Sequence, residues 1–147
     1  KVQIETKKIL GKLNSNSIIP ANFRVSCTCT RVNVREGHTE TVFAETARKA
    51  EPEDIVKSMK KYSKRFASRG LPSAPKEMIT ISDDQFRPQP RLDRDNEDGM
   101  TTTVGRIRKD VAFENGIKYV LVFHNTKMGA AKGAVLTAEI LAKSELL

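Results

Sequence analysis

The chain has 147 residues, of which 38% are hydrophobic and 30% charged, a composition that suits one soluble globular domain. No apolar run reaches the roughly 18 residues that span a bilayer, and no leader with an apolar centre marks the chain for secretion. Two cysteines are too few for a disulfide framework, which favours a reducing compartment such as the cytoplasm. The net charge of +8 leaves three kinds of partner open: nucleic acid, an acidic membrane surface or small anions.

The first third of the chain predicts one helix and two strands. Residues 2–13 have helical periodicity that Gly11 interrupts, and a polar linker, 14–17, follows. Residues 23–32 alternate apolar and polar side chains, which predicts a strand. A short turn then leads into a second predicted strand, 39–47, and we expect the two strands to pair antiparallel.

The middle of the chain predicts the strongest helix and then an irregular, proline-rich segment. Residues 51–66 begin with acidic side chains and Pro52, and end with basic ones, as helix ends favour. The predicted buried stripe of this helix is Ile55, Val56, Met59, Tyr62 and Phe66. A short strand, 78–81, is predicted within the irregular segment 71–98.

The last third predicts two strands and a helix. The strands cover 100–107 and 118–124, with a turn at Asn115-Gly116, and the helix covers 129–141. Helices and strands are thus interspersed, and several strands are close neighbours in sequence. The predicted fold class is α+β, with one mixed, largely antiparallel sheet covered by helices.

Cys27 and Cys29 lie one residue apart on a predicted strand, and His38 follows nearby. Zinc sites usually separate two cysteines by two residues around a turn, so this spacing argues against a metal site. Cysteines acting as small core hydrophobes fit the pattern better. A nucleophilic Cys–His pair stays open, because the sequence does not show whether either thiol is activated.

The run Arg31-Val-Asn-Val-Arg-Glu-Gly-His38 places a histidine directly after a glycine turn. Loops at strand ends often carry function, and imidazole accepts and returns protons near neutral pH. The Arg31 guanidinium, at the end of a predicted strand, suits a carboxylate or a phosphate. An ordinary hairpin with solvated charges explains the same residues.

The run His124-Asn-Thr-Lys-Met-Gly-Ala-Ala131 leads from a strand through a turn into a helix of small residues. Free amides at such a helix start suit an anionic or amide-bearing ligand. A helix rich in glycine and alanine that packs tightly on a sheet is the alternative.

Six basic side chains on or just after the main helix are candidates for contacts with nucleic-acid phosphates: Lys57, Lys60, Lys61, Lys64, Arg65 and Arg69. The chain has no tryptophan and 5% aromatic residues, and no tract interleaves rings with basic side chains. These features argue against nucleic acid and favour a solvated helix face. Residues 69–75 also fit the pattern of a polyproline ligand, which recurs by chance.

Several longer runs occur together and in a fixed order along the chain. They are Arg31-Val-Asn-Val-Arg-Glu-Gly-His-Thr-Glu40, Leu71-Pro-Ser-Ala-Pro75, Arg87-Pro-Gln-Pro-Arg-Leu-Asp-Arg-Asp95, Val104-Gly-Arg-Ile107, His124-Asn-Thr126 and Gly129-Ala-Ala131. In this combination the chain resembles the aspartate-β-semialdehyde dehydrogenase family, in the branch found in archaea and fungi. The resemblance covers nearly the whole chain.

The resemblance implies an NADP-dependent oxidoreductase that interconverts L-aspartyl 4-phosphate and L-aspartate 4-semialdehyde plus phosphate, in threonine, methionine and lysine biosynthesis. In this family an N-terminal Rossmann domain binds the dinucleotide, and a second domain carries catalysis and the dimer contact. A cysteine nucleophile attacks the aldehyde. The resemblance further implies a homodimer or homotetramer in the cytoplasm, without attachment to a membrane.

Four residues match functional positions of the family. His38 matches the acid/base histidine, Arg31 the arginine that binds the substrate α-carboxylate, and Glu5 the glutamate that takes its α-amino group. Asn125 matches the asparagine near the nicotinamide. The resemblance therefore implies one catalytic, two substrate-binding and one cofactor-binding residue in this chain, and no metal ligand.

The chain departs from the family pattern at two diagnostic elements. It contains no G-x-G-x-x-G run, and Cys27 and Cys29 do not match the nucleophile. With a first residue, Lys1, that is not methionine, this predicts the C-terminal part of the enzyme, inactive alone. Residues 1–123 are then expected to belong to the catalytic and dimerisation domain, and 124–147 to a segment whose helix packs on the dinucleotide-binding domain. A non-catalytic binding or dimerisation module is the alternative.

Overall fold

The structure is a computed structural model that describes residues 1–67 and 69–144. The chain divides into two units, Lys1–Asn33 and Val34–Leu147. Helices and strands are interspersed along the chain, and two of the three strand pairs of the main sheet are antiparallel. The expected α+β fold with a mixed, largely antiparallel sheet is confirmed.

In the first unit a short helix, α1 (Val2–Ile9), leads into a hairpin of β1 (Lys12–Asn14) and β2 (Ser17–Ile19). The helix ends earlier than predicted because the chain turns back at Gly11. A Cβ atom at Gly11 would lie 2.3 Å from the Ile19 carbonyl oxygen, so a side chain does not fit this close approach. The predicted polar linker is the tight turn of the hairpin.

The alternating segment 23–32 does not form the predicted strand. Phe23, Cys27 and Cys29, which were expected on one buried face, are exposed, and both cysteines are free thiols. A strand needs a neighbouring backbone for its hydrogen bonds, and alternation by itself does not supply that partner. The predicted strand is therefore wrong, and so is its antiparallel pairing with residues 39–47.

The second unit is built on a sheet in the strand order β3–β6–β5–β4. The strands are β3 (His38–Glu45), β4 (Ile79–Ser82), β5 (Thr102–Asp110) and β6 (Gly116–Phe123). The β3–β6 and β6–β5 pairs are antiparallel, whereas β4 runs parallel to β5. The strand predicted over 39–47 thus pairs with the last strand of the described chain instead of its sequence neighbour.

Two glycines let the backbone of the sheet approach other segments closely. Gly116 pairs with Asp110, and a Cβ atom at Gly116 would lie 2.9 Å from the Asp110 Cβ. A bulge separates Gly105 from Arg108 on β5. A Cβ atom at Gly105 would lie 2.6 Å from the Arg87 carbonyl oxygen. The backbone of Arg87 therefore packs directly on the backbone of β5, at a position that has no side chain.

The helix α2 (Pro52–Ala67) agrees with its prediction to within one residue at each end. Its apolar stripe is partly buried, although Tyr62 stays 50% exposed, and the side chain of Phe66 lies outside the described part of the chain. Ser63, on the same side of the helix, is buried, and the Ile79 N–H donates to its Oγ at 3.2 Å. This hydrogen bond joins α2 to β4.

The one-turn helix α3 (Pro90–Asp93) ends at a carboxylate that is 1% exposed. Four N–H groups donate to the Asp93 oxygens: Arg87 Nε at 2.8 Å, Arg87 Nη2 at 2.5 Å, the Gln89 amide at 2.6 Å and Asn96 Nδ2 at 3.3 Å. Burial raises the pKa of Asp93, but the hydrogen bonds from Arg87 and Gln89 outweigh it, so the pKa lies below its ordinary value. The buried carboxylate thus organises the proline-rich segment.

The last helix, α4 (Lys132–Lys143), begins three residues later than predicted, after a π-helical turn over Lys127–Ala131. The Ser73 hydroxyl and amide donate to the Glu139 carboxylate at 2.7 and 3.0 Å, which fixes α4 to the loop after α2. The helix adds one member to a small buried apolar cluster: Leu71, Met100 and Leu136.

Candidate functional site

The sheet end at which β3 begins and β6 ends collects polar residues from distant parts of the chain. His38 is the first residue of β3 and pairs in register with Phe123, the last residue of β6. The two rings meet edge to face, with their centroids 5.0 Å apart, while the His38 side chain stays exposed. Gly37 has a φ of +104°, which favours glycine and turns the chain sharply into β3. His38 therefore has a backbone that is paired in the sheet and an imidazole ring that is exposed.

Asn125 lies at the same sheet end, two residues beyond Phe123, and its side chain is exposed. The Thr126 hydroxyl donates to Glu36 Oε2 at 3.4 Å, which links the segment before β3 to the segment after β6. The structure thus brings His38 and Asn125 to one end of the sheet, although they are far apart in sequence.

His124 lies between Phe123 and Asn125 in the sequence and is only 6% exposed. The Lys127 N–H donates to His124 Nδ1 at 3.2 Å, so Nδ1 is an acceptor and the proton of the neutral ring sits on Nε2. Nε2 lies 3.6 Å from Asp95 Oδ1, and the His124 carbonyl accepts the Gly129 N–H at 3.2 Å. His124 thereby holds the backbone that follows Asn125, at Lys127 and at Gly129.

The amides of the turn after β6 are largely engaged. The Lys127 N–H bonds the His124 ring, the Gly129 N–H the His124 carbonyl, and the Ala131 N–H the Thr126 carbonyl at 3.0 Å. The interpretation of this turn as a set of free amides is therefore wrong for these three groups. The Gly129 and Ala131 amides are engaged by the π-helical turn, in which an amide bonds the carbonyl five residues earlier, and the Lys127 amide is engaged by the His124 ring.

An ionic cluster flanks the same turn. Lys127 Nζ lies 3.3 Å from Asp95 Oδ1 and 3.1 Å from Asp98 Oδ1, and Lys132 also pairs with Asp98. Hydrogen bonds from Lys132 and Lys127 hold the pKa of Asp98 below its ordinary value. Partial burial raises the pKa of Asp95, but hydrogen bonds from Lys127 and Arg94 outweigh it and lower that pKa too. All the charges of the cluster are mutually satisfied.

Glu5 and Arg31 belong to the first unit. Glu5 lies in the first half of α1, and Arg31 lies beyond β2 in the segment without a strand. Both side chains are exposed. Of the four expected site residues, the structure joins His38 and Asn125 in one unit and shows the other two as open side chains of the other.

The residues that the structure describes contain neither a metal-binding cluster nor a candidate membrane span. Among residues 1–67 and 69–144, no three histidine, cysteine, aspartate or glutamate side chains are grouped in a way that could hold a metal ion. Within the same residues, no helix is both long and apolar enough to cross a bilayer.

Sequence reasoning missed the cluster around Asp95, Asp98 and Lys127 and the burial of His124. The partners are about thirty residues apart, and no local spacing rule connects them. A weak signal existed in the charge pattern, since Asp95 and Asp98 precede β5 while Lys127 and Lys132 follow β6, its antiparallel partner. Hairpin geometry brings such segments side by side.

At one sheet end this α+β domain presents an exposed histidine and a polar strand–turn–helix connection, and loops in such positions often carry function. Residues 1–128 match the family model described as semialdehyde dehydrogenase, dimerisation domain. This match spans most of the chain, and the chain belongs to that family.

Individual relatives are more specific. The chain is 45% identical over 141 residues to the aspartate-semialdehyde dehydrogenase of Methanothermobacter thermautotrophicus, covering 96% of this chain and 41% of that protein. It is 43% identical to the Archaeoglobus fulgidus aspartate-semialdehyde dehydrogenase, over all of this chain and 41% of that one. The crystal structure of Candida albicans aspartate semialdehyde dehydrogenase with NADP matches with a TM-score of 0.86 and 38% identity, covering 99% of this chain and 42% of that one. The chain thus spans about two fifths of the length of its relatives.

Proposed function

We propose that this chain serves as the C-terminal catalytic and dimerisation part of an NADP-dependent aspartate-semialdehyde dehydrogenase. The reaction interconverts L-aspartyl 4-phosphate and L-aspartate 4-semialdehyde plus phosphate, in the supply of threonine, methionine and lysine. The observation that carries the proposal is the placement of His38 and Asn125 at one sheet end, in a fold that matches an NADP-bound relative with a TM-score of 0.86.

Each proposed residue has a role that its chemistry and position support. His38, exposed at the start of β3, transfers the proton as the thiohemiacetal forms and collapses. The Phe123 ring contacts the imidazole edge to face, with the ring centroids 5.0 Å apart. Arg31 binds the α-carboxylate with its planar guanidinium, and Glu5 binds the α-amino group.

Asn125 is the proposed contact to the nicotinamide. Its side chain projects from a turn whose backbone is held by His124 and the π-helical turn, so the amide is presented with little freedom. NADP, when bound, would supply or accept the hydride, and Asn125 would be the residue of this chain that contacts its nicotinamide. Residues 124–147 are proposed to contact the dinucleotide-binding domain, and residues 1–123 to contribute to the catalytic and dimerisation domain.

By itself, the 147-residue chain is proposed to be inactive, because it contains no G-x-G-x-x-G run and neither Cys27 nor Cys29 matches the nucleophile. The proposed assembly is a homodimer or homotetramer in the cytoplasm. Exposed apolar side chains such as Phe43, which is 57% exposed on the edge strand β3, support a surface that is covered in an assembly.

The proposal is tested in a chimera that joins the unmatched first part of the M. thermautotrophicus relative to this chain. We expect NADP reduction with aspartate semialdehyde and phosphate, a loss of at least a hundredfold in kcat for His38→Asn, and a raised KM for aspartate semialdehyde for Arg31→Lys. Both variants keep His124 and the turn that it holds, and their circular dichroism is compared with that of the unsubstituted chimera to check folding. A folded, dimeric chimera without activity would contradict the proposal.

If the chimera does not fold, a second measurement is made on the 147-residue chain itself. NMR spectra of the chain, titrated with L-aspartate semialdehyde, should show shifts at Glu5 and Arg31 that Arg31→Ala removes. Light scattering on the same sample reports its oligomeric state. A dimer whose spectrum does not change with the semialdehyde would favour the alternative function, a dimerisation module without catalysis. The family's description as a dimerisation domain supports that alternative.

A further inference from the structure

The loop before β5 has an unusual backbone. Three consecutive residues, Glu97, Asp98 and Gly99, have φ angles of 49°, 53° and 73°. Only glycine adopts this left-handed region freely, so the two acidic residues hold it at a cost that surrounding contacts must offset. We call residues 95–99 the acidic loop. Its conformation indicates that something in the fold requires the loop in this place.

The acidic loop lies directly against the turn that carries Asn125. A Cβ atom at Gly99 would lie 2.6 Å from Lys127 Cδ and 3.0 Å from His124 Cδ2. No side chain fits between these groups, and the bare backbone of Gly99 is itself the contact surface. The left-handed conformation therefore brings the loop into van der Waals contact with both residues.

The charges of the acidic loop extend this contact on both sides of Asn125. Asp95 faces His124 Nε2 and accepts a hydrogen bond from Lys127 Nζ. Asp98 accepts hydrogen bonds from Lys127 and from Lys132, at the first turn of α4. The loop thus contacts the turn before Asn125, through His124, and after it, through the two lysines. Single exposed ion pairs contribute little, but here three of them share partners and act on one short segment.

We propose that the acidic loop is a positioning element that fixes the backbone of the Asn125 turn, with Asp95 and Asp98 as positioning residues for the nicotinamide contact. This inference rests on the proposed function for its catalytic meaning, while its structural part stands on the contacts alone. In this proposal the carboxylates do not act on the substrate or the cofactor directly. They act through His124, Lys127 and Lys132 on the place and the rigidity of Asn125.

The structural part is tested by amide hydrogen exchange on the 147-residue chain. In Asp95→Asn/Asp98→Asn we expect the Gly129 and Ala131 amides, which bond within the turn, to exchange at least threefold faster. Glu97→Gln is the matched control, because it removes a charge from the same loop while its side-chain oxygen still accepts the Lys76 N–H. Unchanged exchange in the double variant would overturn the proposal.

Two further readouts separate positioning from general stability. Lys132→Met and Asp98→Asn should be non-additive, with the double variant exchanging no faster than the worse single one, since both remove the same pair. Additive effects contradict the pairing. In the chimera, Asp95→Asn/Asp98→Asn should raise KM for NADP about threefold and leave KM for aspartate semialdehyde unchanged. Equal changes in both KM values would refute the positioning of the cofactor contact. If the unsubstituted chimera is inactive while the hydrogen exchange changes as expected, only the proposed function is refuted.

Discussion

The buried carboxylate of Asp93 gives the sharpest test of the fold. Two N–H groups donate to each of its oxygens, Arg87 Nη2 and Asn96 to Oδ1, and Arg87 Nε and the Gln89 amide to Oδ2. In Asp93→Asn, one oxygen becomes an NH₂ group that faces two donors, whichever way the amide is turned. The substitution is nearly isosteric, so its effect is electrostatic and not a matter of packing.

The magnitude follows from those two lost hydrogen bonds. A hydrogen bond to a charged group contributes about 1.5–3 kcal/mol, which gives a gross loss of about 3–6 kcal/mol. Arg87 is 30% exposed and regains water, so the lower end, about 3 kcal/mol, is the expected loss in the free energy of unfolding. For a chain of this size that corresponds to a Tm about 12 °C lower.

Thermal and urea unfolding of the 147-residue chain measure this loss. Asp83→Asn is the matched control, because it makes the same chemical change at an exposed position on the loop after β4 and should shift Tm by less than about 2 °C. If Asp93→Asn lowered Tm no more than the control, the carboxylate would not organise the proline-rich segment as argued.

Three other predictions concern the same unit. Gly105→Ala should destabilise the chain by about 1–3 kcal/mol, because the new methyl meets the Arg87 carbonyl, whereas Gly129→Ala, with its nearest contacts at 3.7 Å, should cost less than about 1 kcal/mol in urea unfolding. Leu136→Ala should cost about 2–5 kcal/mol and Val135→Ala, beside it but 52% exposed, under about 1 kcal/mol, and equal losses would contradict the buried cluster. The pKa of Asp98 is lowered in the folded state, so the unfolded chain binds more protons in acid. The free energy of unfolding should therefore be constant above about pH 5 and fall as the pH drops below about 4. A free energy of unfolding that stays constant down to about pH 2.5 would refute this.

The elements that sequence reasoning located well are those with local causes. The helix α2 combines acidic residues at its start, basic residues at its end and an apolar stripe, so its limits follow from a window of sixteen residues. The strands β5 and β6 are also predicted from the sequence, because a turn-forming Asn115-Gly116 pair marks the start of the second strand. Their hairpin arises from contacts between chain neighbours.

The errors came where a distant partner decides the structure. Residues 23–32 have the alternation of a strand, but β3 pairs with β6 instead, and no periodicity in either segment reveals that choice. The same pairing is what brings His38 next to Phe123 and Asn125. Family resemblance therefore pointed to the candidate residues one by one, whereas the common position of His38 and Asn125 at one sheet end follows from the register of the sheet.

The distribution of the surplus charge limits what it can do for this site. Residues 55–67 contain five basic side chains and no acidic one, and four of these, Lys57, Lys60, Lys61 and Lys64, border an open surface cavity. That helix packs on β4 and β5, while His38 begins β3, the opposite edge of the sheet. Three strand spacings of about 4.8 Å separate those edges, which exceeds the Debye length of about 8 Å at physiological salt. Long-range attraction from α2 is therefore screened at His38, and an anionic substrate must be held by groups in direct contact with it, as proposed for Arg31.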